Sequence, residues 1–98
     1  MAIDFGTLTA SGERSSPFKL NADGAVSFYG VGDFAGGTLT LQFSLDHGTT
    51  WYDLKDDATT ASLTGSGVLT ICLKGSVVVA ARVTGAGSPP TIQTGILT

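Results

Sequence analysis

The side chains that could do chemistry in this 98-residue chain are few and scattered. There is one histidine, His47, and one cysteine, Cys72. A thiolate nucleophile needs a basic partner, and the only imidazole sits in Asp46-His47-Gly48, a turn sequence between two extended runs. A Ser/His/Asp triad would have to use the same His47, on a turn tip where a second group can hardly bury or orient it. Carboxylates gather at Asp53, Asp56 and Asp57, with Asp33 and Asp46 in other loops. Oxygen-rich loops can bind calcium, but none here has EF-hand spacing, so these charges read as solvated. Gly30, Gly32, Gly36 and Gly37 lie between strand-like runs, without the helix start that a phosphate cradle needs. The expectation is a protein that is not an enzyme, with no catalytic residue, no cofactor and no metal site. Trp51, Tyr52, Tyr29 and Phe34 are the aromatic residues from which a sugar platform would be built. The simpler reading is that Trp51 plugs the core while Tyr29 or Tyr52 packs with its hydroxyl at the surface.

Composition narrows the partners. Net charge is −3 and no basic cluster occurs, which argues against binding nucleic acid through its phosphates. The longest apolar run, Val77 to Ala81, is far too short to span a bilayer. The first residues carry Asp4 where a secretory leader would be basic, so no signal peptide is expected. A single cysteine cannot form an internal disulfide; Cys72 reads as a buried, inert thiol, and so cysteine-poor a chain fits a reducing compartment. Charged residues make up 13% of the chain, against about 25% in ordinary soluble domains. The polar surface must therefore be built from Thr, Ser, Gly and amides. Such a surface is less costly to desolvate than one of Lys and Glu, and it suits a protein that works against other proteins.

Those residues are carried by short β-strands. Thr38 to Leu45 alternates strictly, with Leu39, Leu41, Phe43 and Leu45 on one face. The other expected strands are Ala2–Ala10, Pro17–Leu20, Ala25–Val31, Trp51–Leu54, Val68–Lys74, Val77–Thr84 and Thr91–Leu97, with a short piece near Ala61–Leu63. Turns are expected at Asn21–Gly24 and at Gly75-Ser76. Seven or eight short strands with no long amphipathic helix predict an all-β, two-sheet antiparallel β-sandwich, of jelly-roll or immunoglobulin-like topology. Residues 1–98 form a single domain in this reading. Residues 1–16 either pair in their own sheet through Ile3 and Phe5 or reach out as an extended arm. Val78 and Ala80 lie beside Arg82 on the face of their strand that should be polar, so that face is either covered or meets a partner.

The hairpin after Thr38 has a recognisable turn. Ser44-x-Asp46-x-Gly48-x-Thr50-Trp51 matches the Asp-box pattern, found in sialidases and in many unrelated β proteins. Mechanically, Asp46 accepts hydrogen bonds from nearby backbone, Gly48 takes a positive φ, Thr50 adds a hydroxyl and Trp51 closes the root. A sialidase needs an arginine cluster, and this chain has only Arg14 and Arg82. The turn therefore reads as a folding device.

The run from Gly36 to Trp51, GGTLTLQFSLDHGTTW, followed by VVAARVTGAG from Val78 to Gly87, resembles small β-sandwich proteins of tailed-bacteriophage virions over roughly residues 24 to 97. The resemblance implies a structural role, and a single short domain suits a capsid decoration (cement) protein best. Such a protein binds the outer surface of the major capsid protein lattice, bridges subunits and is often a homo-oligomer, a dimer or trimer. It would be located on the capsid surface of the virion, assembled in the host cytoplasm. Candidate protein contacts are Ile3, Phe5, Val78, Ala80 and Arg82. The alternative is a carbohydrate-binding or host-attachment module using Trp51, Tyr52 and nearby aspartates.

Overall fold

The computed structural model describes residues 2–56 and 59–97, and it is all-β. Nine strands are seen among the described residues: β1 (Ala2–Leu8), β2 (Phe18–Asp33), β3 (Thr38–Ser44), β4 (Tyr52–Asp53), β5 (Lys55–Asp56), β6 (Thr59–Thr60), β7 (Ser62–Leu63), β8 (Gly67–Thr84) and β9 (Thr91–Leu97). All pairing is antiparallel, in the order β1-β9-β2-β8-β3-β4, with β7 also on β3 and β5 paired to β6.

The architecture is a sandwich because β2 and β8 are long enough to serve both layers. Near one end, Ser27–Asp33 of β2 pairs with β9, which pairs in turn with β1. Near the other end, Val78–Thr84 of β8 pairs with β3, while β2 and residues 12–15 lie on its opposite side. Between these ends, Asn21–Val26 and Ile71–Ser76 form a two-stranded ribbon that carries the chain from one layer to the other. Gly24 (φ 125°) and Gly75 (φ 93°) sit in that ribbon, at backbone angles that other residues rarely adopt.

The two turns expected at Asn21–Gly24 and Gly75-Ser76 are therefore absent. The segments face each other, Asn21 opposite Ser76 and Ala22 opposite Gly75, and pair through the glycine distortions. Four expected short strands become two, of 16 and 18 residues. A glycine in a strand marks a bend as readily as an end.

The core lies between the layers. Phe28, Ile92 and Ile96 from one side meet Leu39, Leu41, Val79 and Val83 from the other. Leu39 reaches so close to Gly30 that an added Cβ there would come within 2.6 Å of its Cδ2. Period-two alternation places these side chains inward, and burying each contributes roughly 1.5–3 kcal/mol. Of the two placements open to the N-terminal segment, β1 takes the one in its own sheet. Ile3 pairs with Ile96, and both Ile3 and Phe5 are buried in the core.

Candidate functional site

Ser44 to Trp51 closes on itself. β3 leaves its ladder after Ser44, the last residue paired with β8. The Ser44 hydroxyl donates to Asp46 Oδ1 (2.7 Å) and accepts from the Gly48 N–H (2.8 Å). Asp46 Oδ1 also accepts the Thr50 N–H at 2.8 Å. His47 (φ 61°) and Gly48 (φ 98°) are both left-handed, which lets two successive peptides curl around that carboxylate. The Thr50 amide, then the Ser44 and Thr50 hydroxyls, hold the Asp46 carboxyl down at about 2. All of this carboxylate's close partners lie within its own turn.

Trp51 does not plug the core. It lies half-buried on the outer side of the second layer, its Nε1–H donated to the Gly48 carbonyl at 3.0 Å. The Arg14 guanidinium stands 5.0 Å from the ring centroid. Arg14 Nε donates to Gln42 Oε1 (3.0 Å), and Gln42 Nε2 donates to Asp53 Oδ1 (2.9 Å). Burial, and then the neighbouring Arg82, lower the Arg14 pKa. This polar sheath lies on the outward face of β3 and β8, where Ala80 is paired with Gln42 and is 0% exposed. Ala80 is apolar there because the strand is covered on both sides at that point by its own chain, whereas Val78, two residues back on the same face, is only half-buried.

The expected contact residues are dispersed. Ile3, Phe5 and Ala80 are buried, and half-buried Arg82 donates to the Gly12 carbonyl at 3.2 Å. Val78 is half-buried and lines a surface depression. The aromatics are not brought onto one platform either. Phe34 is core, Tyr29 is half-buried, and Tyr52 (50% exposed) packs on Phe43 with ring centroids 5.6 Å apart. Cys72 is exposed, because Ile71 and Leu73 take the inward positions on β8. Among the described residues, no group of three or more His, Cys, Asp or Glu is gathered as a metal site.

A site that the sequence reading passed over lies just beyond the end of β3. β8 runs on past Val78 toward Gly67 with β2 as its only paired neighbour among the described residues. Two depressions flank this edge, of about 310 and 370 Å³. They share Leu45, Ser76 and Val77. The first adds Lys19, His47 and Val78; the second adds Phe43, Leu54, Lys55 and Leu73. Leu45 is 77% exposed, the most open of the large apolar side chains among the described residues. The signal was present in the alternation Leu39, Leu41, Phe43, Leu45, which runs one step further than the ladder that buries it.

No family model matches this chain, and neither a curated protein nor a solved structure matches it.

Proposed function

We propose that this chain is a non-enzymatic structural protein of a tailed-bacteriophage virion, of the capsid decoration type, which binds the outer capsid surface and bridges neighbouring subunits. One observation carries the reading. A chain with only 13% charged residues presents an apolar depression, rimmed by Leu45, Phe43 and Val77, beside a strand edge that has no partner among the described residues. Such a surface is cheap to desolvate, and backbone groups on an open edge recognise another chain without specialised side chains. Weak single contacts add up when many copies bind a symmetric lattice, and a dimer or trimer adds them faster. Trp51 favours this over the glycan-binding alternative, since Arg14 covers its ring and Gly48 takes its N–H.

The test is co-sedimentation of the purified protein with capsids stripped of decoration. Saturable binding at micromolar concentration, at a stoichiometry set by the lattice, is the expected result. Absence of binding under those conditions overturns the proposal.

A further inference from the structure

The groove at the end of β3 has a chemical pattern of its own. Ala81 donates its N–H to Ser15 Oγ, and Val83 donates to the Glu13 carbonyl, both away from β3. The β2–β8 register is continuous from Val79 to Gly67, so the same alternation continues down β8. The backbone groups of Cys72, Lys74 and Ser76 therefore face the open edge, in line with the ladder that β3 abandons at Ser44. A strand laid there would continue the sheet.

Its side chains would alternate between the two depressions. The inner one is apolar, formed by Phe43, Leu54, Leu73 and Val77. The outer one holds Lys19 and His47, and Lys55 stands at the rim of the inner one. Among the described residues no carboxylate lines either depression, although the chain as a whole carries a net charge of −3. Asp46, the nearest acid in sequence to His47, is held inside its turn by Ser44 and Thr50.

We propose that the open edge of β8 from Cys72 to Ser76 binds an extended segment of a partner protein in which apolar residues alternate with carboxylates. The partner adds a strand to the sheet, sets an apolar side chain among Phe43, Leu73 and Val77, and sets its neighbouring acid between Lys19 and His47. Charge selects this occupant over a second copy of the chain, since pairing two such edges would set one basic rim against another. The inference goes beyond the virion reading and holds whether or not the partner is a capsid subunit.

The experiment uses three fluorescent nine-residue probes: glutamate alternating with leucine, lysine alternating with leucine, and the glutamate peptide in shuffled order. Anisotropy should show saturable binding of the first, at least about tenfold tighter than either control. Leu45→Glu and Lys19→Glu should each weaken it by about tenfold or more, and both sites are exposed, so thermal melts should show intact folds. Added salt should weaken it as well. Amide exchange should show new protection at Cys72, Lys74 and Ser76. Equal affinity for the lysine peptide overturns the inference, as does protection that appears elsewhere. Sedimentation of the free protein as a dimer with Ser76 already protected also overturns it, by giving the groove to a second copy. Binding of the glutamate peptide without binding of capsids would remove the virion proposal and leave this one standing.

Discussion

Ser44 and Leu45 are adjacent, and the chain treats them in opposite ways. Ser44 is buried and makes three hydrogen bonds within its own turn, to Asp46 Oδ1 and from the Asp46 and Gly48 amides. Leu45 stands in solvent at the lip of a groove whose backbone edge has no partner among the described residues. The turn has the recognisable sequence pattern and is chemically closed. The edge beside it has no motif and is chemically open. A motif marks where a fold needs precision, whereas a site for another molecule is marked by what the fold leaves unanswered.

The largest expected effect tests the closed side. Ser44→Ala leaves the Gly48 N–H without its acceptor and removes a donor from Asp46, so urea unfolding should show a loss of about 1–3 kcal/mol. An unchanged midpoint would mean that the turn is not held as described. Arg14→Ala comes next, at about 1 kcal/mol, through loss of the cation–π contact and of the bond to Gln42. Trp51 emission should shift to the red as its ring meets water. Emission that stays fixed would show that something other than Arg14 shields the ring.

Acid should loosen the turn in a defined window. Asp46 holds its proton less tightly in the folded chain, at about 2 against an ordinary 3.8, so its ionised form favours folding. That contribution is complete above the ordinary value and is lost as pH falls through about 2. A carboxyl carbon titration by NMR should place the midpoint near the lower figure, and Ser44→Ala should raise it. On the open side the effect on stability is smaller still. Leu45→Glu should shift the unfolding free energy by no more than about 0.5 kcal/mol, the usual range for exposed positions without partners. A larger loss would mean that Leu45 is structural and that the groove is closed in solution.

Part of the fold was legible in the sequence, because alternation in Thr38–Leu41 and Thr91–Thr94 reports directly which side is buried, whereas Val79, Ala80 and Ala81 are buried on both faces of β8 and Leu45 falls outside the ladder. The hydrogen bonds of Asp46 were legible for a similar reason, since Ser, Asp and Gly at that spacing have few other local uses. The long ribbon was not. Gly24 and Gly75 carry the same local signal whether they end strands or bend them, and only their pairing across the sheet decides between the two. The placement of Trp51 was hidden because its partner, Arg14, lies far away in the sequence. Ala80 looked like a contact because its cover, the Arg14–Gln42–Asp53 chain, is polar and comes from three segments. The groove was hidden because an unpaired edge is a property of topology, which no single segment records.

The finest test lies within one strand and needs no substitution. Between Val78 and Thr84, β8 has β3 on one side, and β2 or residues 12–15 on the other. Amides of either parity there are tied to a neighbour, so Ala80, Ala81 and Val83 should all exchange slowly. Between Ile71 and Val77, the ladder gives an acceptor, among the described residues, only to amides facing β2. Leu73 and Val77 should then be protected while Cys72 and Ser76 exchange rapidly, a sawtooth confined to half of one continuous strand. Slow exchange at both parities in the free monomer would mean that another segment of the chain already covers the edge. That would abolish the contrast between the closed turn and the open edge. A sawtooth that flattens only when an extended acidic partner is added would show that the two differ in what they leave for another molecule to complete.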